Sequence, residues 1–468
     1  PYTTLFRSKD VSIEIHDIEN GLLPAFRANN DTIVYNITER MEHYKVPGVS
    51  MALVENGKIK WAKGYGIANT ESGSRVDANT IFQAGSISKP VAALAALKLV
   101  EEGKMDLDKD VNAYLKDWKI PASKFTEVEK VTLRRLLTHT AGVTVHGFPG
   151  YQQTDTLPSI TQVLNGVGNT SRIGVDTIPG STWRYSGGGY TIMQKLVEEV
   201  SGRSMDAYLT NILEPMGMTN STFEQPLPTE RHATASAAYG TDGKIIDGLW
   251  HNYPEKAAAG LWTTPTDLAK YALEIQRILA GKENGVLKKE TVQMMLTKHS
   301  NSWGLGPSLQ WESDSLIFRH GGKNAGFTNE MVAFANRGNA IVVMTNADNG
   351  GKLIGEILRS VSHYYNWGIS EQRVIDPIAL PTEYLKEFVG TYKLNFQVPN
   401  IGDYLVHTSI KDNQLVINDP NNGEVNTLMA IETSEYIDLD TGDKVIVKLE
   451  ENKPTMTFNG RFKFFKIE

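Results

Sequence analysis

Residues 91–100, "VAALAALKLV", would be apolar on nearly every side of a helix. A helix without a polar face has to be enclosed by other parts of the chain. Ten residues, one of them Lys98, are too few to cross a membrane, so the enclosure must be protein. The 468 residues of the chain are enough for that and for two or three domains.

Pro90 stands directly before this run. Proline is tolerated only in the first turn of a helix, where backbone N–H groups have no intrahelical partner, so the helix is expected to begin close to Ser86. Ser86 and Lys89 then lie three residues apart on one face. An amine at that distance can take the proton of a hydroxyl, which makes a nucleophile and its base. The positive end of the helix favours developing negative charge at the serine, and burial favours the neutral form of the lysine. A capping serine followed by a surface lysine has the same spacing, but no other lysine in this chain has a serine three residues before it.

Composition narrows the chemistry further. There is no cysteine, which removes thiolate nucleophiles, disulfides and cysteine-ligated zinc. The ten histidines are scattered, without an H-E-x-x-H pattern, so neither a metal nor another cofactor is expected. A net charge of -7 and the lack of a Lys/Arg run argue against a nucleic-acid partner. No stretch is long and apolar enough to be an integral membrane segment. Residues 1–8, "PYTTLFRS", read as the translation of a sequencing adapter, and a leader before the native start would be missing with it.

Apolar residues recur with a helical rhythm in 31–46, and Asn56-Gly57 between two apolar runs predicts a hairpin. From about 80 to 250 the pattern is mostly helices and polar loops. Thr264-Pro265 marks a further helix start, and strand signals return in "LIFRHGG", "FTNEMVAFAN" and "NAIVVMTNAD". This order, sheet, helical insert, sheet, predicts an α/β domain with a cleft where its halves meet. Beyond it, short alternating segments such as "QLVIND" and "RFKFFKIE" predict a small antiparallel β-barrel-like domain. The expected divisions are a catalytic domain at 9–372, a linker at 373–384 and the β domain at 385–468.

Two more stretches carry polar groups suited to catalysis. In "PGSTWRYSGGGY", Tyr185 precedes three glycines that let backbone approach a ligand, and its phenol can relay a proton. In "FRHGGKNAGF", a strand ending in His320, Gly321 and Gly322 can line a cleft. There the Lys323 N–H pairs with that of Ser86 as an oxyanion hole. Phe82, Tyr151, Trp262 and Trp303 are candidates for an acyl pocket. No G-x-S-x-G elbow is present, which excludes the α/β-hydrolase route to an esterase.

Together with flanks such as "FQAGSISKP", "LRRLLTHTAGV" and "AAAGLWTTPTDLAKY", these stretches resemble the serine β-lactamase and penicillin-binding protein superfamily. The branch is that of class C β-lactamases, family VIII carboxylesterases and D-aminopeptidase-like enzymes. The resemblance implies a β-lactamase/transpeptidase-like fold with an appended lipocalin-like domain. It makes Ser86 the acylated nucleophile, with Lys89 and Tyr185 as general base and acid and His320 in place of the lysine of K-T-G. Gly187 stands where relatives have the asparagine of Y-x-N, so both departures turn the expectation from β-lactams toward esters. A hydrolase of small ester or peptide-like substrates is expected, outside the cytoplasm, in the periplasm or secreted. A D-residue peptidase or amidase, a β-lactamase, and a non-catalytic binder of the same fold are the alternatives.

Overall fold

The computed structural model describes residues 11–29, 31–281, 283–398, 402–421, 423–438, 442–450 and 453–467. The adapter-like residues 1–8 lie outside these. Two compact units are present, Met41–Gly351 and a second made of Pro1–Arg40 with Lys352–Glu468.

The first unit is built on a seven-stranded sheet. Its strands are β1 (Gly48–Glu55), β2 (Lys58–Asn69), β3 (Ser74–Arg75), β4 (Ser308–Glu312), β5 (Ser315–Asn324), β6 (Phe327–Phe334) and β7 (Ala340–Thr345). They run in the order β3-β2-β1-β7-β6-β5-β4, every neighbour antiparallel. Asn56 and Gly57 take positive φ values of 52° and 73°, so the β1–β2 hairpin closes through the left-handed turn that this pair favours. All of β1 except Glu55 is buried, as in a strand covered on both faces.

Between β3 and β4 lie the helices α1 (Ser88–Glu101), α2 (Leu133–Leu137), α3 (Ile160–Leu164), α4 (Gly187–Ser201), α5 (Met205–Leu213), α6 (Lys256–Ala259) and α7 (Pro265–Leu279). Apolar α1 is enclosed as its sequence demands, against α4, α5 and α6. The α7 N-terminus is capped by Thr264, whose hydroxyl accepts the Asp267 N–H at 3.1 Å, with Pro265 at the first position. This helix covers β1, β2, β6 and β7. The start of α1 differs from expectation by one turn: Gly85–Ile87 form a 3-10 turn, and the α-helix proper begins at Ser88. Gly85, at φ 55°, sets that break.

In the second unit, eight strands close into a barrel: β8 (Gly390–Val398), β9 (Gly402–Lys411), β10 (Gln414–Asp419), β11 (Glu424–Ala430), β12 (Glu435–Asp438), β13 (Lys444–Glu450), β14 (Lys453–Phe458) and β15 (Phe462–Lys466). Each pairs with the next, and β8 with β15 completes the ring through Tyr392 and Lys466. The short helix Thr382–Lys386 precedes the ring, and Leu385 and Phe388 belong to the barrel's own apolar core. Among the described residues no helix is long and apolar enough to cross a membrane.

Candidate active site

Strand β5 makes the site possible by outrunning its neighbour. Pairing with β4 begins at Arg319, so from His320 to Asn324 the strand keeps β6 on one side only. The 3-10 turn bearing Ser86 packs against this open edge. Glycines permit the approach: a Cβ on Gly322 would stand 1.9 Å from the Ala84 carbonyl oxygen, and one on Gly85 2.5 Å from the Lys323 nitrogen. The Lys323 backbone therefore runs beside the serine turn, where the Ser86 N–H, in the first turn of its helix, has no intrahelical partner.

Buried polar side chains hold this arrangement. Ser88 Oγ donates to the Gly85 carbonyl at 2.6 Å and accepts the Leu261 N–H at 3.0 Å. Asn324 donates to Gln83 Oε1 at 2.8 Å and to the Ala259 carbonyl at 3.0 Å, while Asn329 donates to the Gln83 carbonyl at 2.8 Å. Turn, strand edge and α6 are thus pinned together by bonds made out of water. Sequence reasoning singled out none of these residues.

Lys89 is 2 % exposed, with Nζ 2.9 Å from Ser86 Oγ and 2.8 Å from the Ala258 carbonyl. It stands over the Tyr185 ring, 4.9 Å from the centroid. Burial alone brings its pKa from 10.5 down to about 7, so the free amine is available near neutrality. The pKa of Tyr185 is raised by burial, with the Ser86 side chain opposing, and the phenol keeps its proton. Its hydroxyl is buried without a hydrogen-bond partner of good geometry.

His320 is buried, and its Nδ1 lies 2.6 Å from the Gly321 carbonyl oxygen. A carbonyl only accepts, so Nδ1 carries the proton and Nε2 presents a lone pair, buried and unpartnered. Burial, then the charge of Lys89, lowers the His320 pKa to about 3. Where the resemblance sets a lysine, this chain has a neutral acceptor.

His139 carries the second buried imidazole, which was not anticipated although its stretch was noted as a flank. Its ring lies 4.3 Å from that of Tyr185, and Nδ1 accepts the Ser186 N–H at 3.1 Å. Burial, with smaller contributions from Lys89, His320 and His146, keeps it neutral. Trp303 completes the wall, half-buried, its ring 5.8 Å from Tyr185 and perpendicular to His320 at 5.5 Å.

Four expected site residues stand elsewhere or offer nothing to a pocket. Trp262 does not line a pocket: it is fully buried and packs edge to face on Trp250 and Phe327, and Phe82 shares that core. Tyr151 is also buried, its hydroxyl accepting the Asn169 N–H at 3.1 Å. Gly187 opens α4 and donates its N–H to the His146 carbonyl at 2.9 Å. A Cβ there would stand 2.9 Å from the Phe148 ring, so the loop fills the space a side chain would need. Among the described residues no three potential ligands gather to hold a metal.

The model of the Beta-lactamase family matches residues 35–359. The chain is similar to the teichoic acid D-alanine hydrolase of Staphylococcus aureus, at 28% identity over 235 residues, 49% of this chain and 54% of that one. It therefore spans about half the length of the curated relatives it matches. A solved structure of the octameric penicillin-binding protein homologue from Pyrococcus abyssi aligns with TM-score 0.63 and 23% identity over 92% of this chain and 98% of that one. The structure of SurE with D-Leu aligns with TM-score 0.57 and 19% identity over 92% and 97%. At these identities the likeness to solved structures is one of fold.

Proposed function

The chain belongs to the Beta-lactamase family, and from that membership we propose that it is a serine hydrolase cleaving small carboxylic esters through an acyl-enzyme on Ser86. The observation that carries the proposal is the 2.9 Å contact between Lys89 Nζ and Ser86 Oγ, with the lysine pKa brought to about 7.

In this reading the neutral amine accepts the Ser86 proton as Oγ attacks the ester carbonyl. The backbone N–H groups of Ser86 and Lys323 receive the oxyanion. As the tetrahedral intermediate collapses, the Lys89 ammonium returns the proton to the departing alkoxide, directly or through the Tyr185 hydroxyl. Water then gives a proton to Lys89 and attacks the acyl carbonyl; as that intermediate collapses, the Lys89 ammonium returns the proton to the departing Ser86 Oγ, which releases the acid and restores the hydroxyl and the free amine. The neutrality of His320 supports esters over substrates bearing a carboxylate, because the site offers no fixed cation at that position. Half-buried Trp183 and Trp303, 5.4 Å apart, supply apolar surface beside Tyr185 for an acyl group.

Intact-protein mass spectrometry during hydrolysis of a p-nitrophenyl ester tests the proposal. An acyl adduct mapped to Ser86 is expected, together with a loss of roughly a thousandfold or more in turnover for Ser86→Ala. Undiminished turnover by pure Ser86→Ala protein would remove the mechanism. A second reading, hydrolysis at a D-residue as in D-aminoacyl amides, draws support for the D-residue, and not for the amide bond, from the name of the Staphylococcus aureus relative. D-alanyl p-nitroanilide cleaved with higher kcat/KM than the ester would favour it.

A further inference from the structure

Tyr185 has little of its own to keep it in place. Residues 182–186 belong to no helix or strand, and the phenol oxygen is buried without a hydrogen-bond partner of good geometry. Yet Lys89 Nζ lies 4.9 Å from the centroid of its ring, close to where a proton passes between the lysine and a departing group. Its position is set by whatever grips the chain around it.

One residue grips both sides. The Arg184 N–H donates to the His139 carbonyl at 2.8 Å, and the Ser186 N–H donates to His139 Nδ1 at 3.1 Å. Between those two bonds the Tyr185 ring lies against the imidazole, 4.3 Å from centroid to centroid and tilted by 31°. Backbone before the tyrosine, backbone after it and the ring itself all rest on His139. The support is fixed in turn. The imidazole meets the ring of Tyr190 at 5.3 Å, and Tyr190 is fully buried, its hydroxyl donating to the Leu137 carbonyl at 3.0 Å.

This pose is strained. His139 takes φ 59°, a left-handed conformation that costs a residue with a side chain roughly 1–3 kcal/mol. A nitrogen that accepts an N–H carries no proton, so the proton of the neutral ring is on Nε2, which is buried and unpartnered. An orphaned donor adds to the cost. Strain of this kind persists where the surrounding structure over-determines it, and it gathers at reacting sites.

We propose that His139 is the positioning residue of Tyr185, holding the phenol where it hands its proton to the departing alkoxide. The proposal rests on the ester reading above. In the step concerned, the bond from the tetrahedral carbon to the alkoxide oxygen breaks, that oxygen takes the Tyr185 proton, and the Lys89 ammonium reprotonates the phenolate. Other ties of the stretch bypass the imidazole: Ser186 Oγ donates to the Thr144 carbonyl at 3.0 Å, and the Arg184 guanidinium to the Gly142 carbonyl at 3.1 Å. Loss of the imidazole therefore loosens Tyr185 without freeing the segment.

Two esters of one acid, ethyl butyrate and p-nitrophenyl butyrate, separate this role from general damage. Nitrophenolate leaves unaided, whereas ethoxide needs a proton. The ratio of the two kcat/KM values therefore reads Tyr185, and it does not depend on how much of the protein is folded. In His139→Ala the ethyl ester is expected to lose about a hundredfold and the nitrophenyl ester less than about tenfold. Tyr185→Phe shifts the ratio the same way, and the double variant shifts it no further. His139→Asn, whose amide oxygen takes the place of Nδ1, stays within about fivefold of the wild-type ratio. His139→Gln replaces His139→Ala if that variant does not fold. An unchanged ratio in His139→Ala or in Tyr185→Phe, a ratio in His139→Asn as low as in His139→Ala, or a double variant worse than Tyr185→Phe would overturn the role and leave the ester reading in place. Wild-type protein inert toward both esters would overturn both.

Discussion

The serine turn and the barrel both place polar groups beside an apolar interior, and they are assembled in opposite ways. Ser86, Lys89, Tyr185, Ala258 and His320 are gathered from a span of more than two hundred residues, and Lys89, His139 and His320 lose most of their contact with water. Their pKa values move because of it. The barrel pairs each strand with the next in sequence, and the carboxylates of Asp419, Asp438 and Asp443 are bonded by close neighbours. Long-range packing creates reactive groups by withholding solvent, while pairing between consecutive strands creates a closed container.

A substitution at the closest approach should separate the two regions most sharply. Gly322→Ala drives a Cβ against the Ala84 carbonyl, so the strand edge must withdraw from the serine turn. A fall in kcat/KM of about a hundredfold or more is expected, since misplacement by one ångström costs that much. Wild-type activity in Gly322→Ala would mean that the fit has no part in the chemistry.

Glu255 offers the next largest effect. It leads into α6, the helix whose Ala258 carbonyl holds Lys89, and its buried carboxylate has no partner for either oxygen. Burial raises its pKa from 4.5 to about 7. The folded state therefore binds more protons than the unfolded state across that window, and stability falls as pH rises through it, with the full penalty above 7. Glu255→Gln should relieve at most about 3 kcal/mol at pH 8 and nothing at pH 4. Chemical denaturation at both pH values checks the sign; equal midpoints for the two proteins at pH 8 would contradict it.

The pH dependence of ester hydrolysis is a finer probe. Below about pH 7 Lys89 is protonated and cannot receive the Ser86 proton, so kcat/KM should drop about tenfold per unit. His320, titrating near 3, adds no second limb above pH 4. Two limbs between pH 4 and 7 would reassign the base. The smallest effect belongs to the barrel: Gly460, at φ 69° with open space around it, should cost about 1 kcal/mol of stability as alanine and leave hydrolysis unchanged.

What could be read in advance follows the same division. The hairpin at Asn56-Gly57, the capped start of α7 and the nearness of Ser86 to Lys89 are local patterns; the first two stand as read, and the third is met with Ser86 in a 3-10 turn just ahead of the helix that holds Lys89. The strand Glu424–Ala430, "EVNTLMA", mixes polar and apolar residues on both faces and carried no alternation to find. Tyr185 and His320 acquired their significance from family resemblance, because nothing within either stretch distinguishes them from a tyrosine or a histidine beside any glycine turn. Trp262 shows the limit from the other side. Nearness in sequence to the site says nothing about which face a side chain takes, and its two-residue strand pairs with Phe82 and Gln83 inside the core. His139 was passed over for a related reason, since only the folded loop brings its ring onto Tyr185.

The glycine contacts at 85 and 322 also bear on how such a site can change over generations. Backbone meets backbone there, so no larger residue can enter without moving the nucleophile itself. That side of the cleft is closed to experiment by mutation. The opposite wall, Trp183, Trp303 and exposed His146, is side chain throughout, and one residue can be traded for another without disturbing Ser86. New substrate preferences in a chain of this kind should therefore arise on the aromatic wall, while the serine turn and its strand are inherited intact.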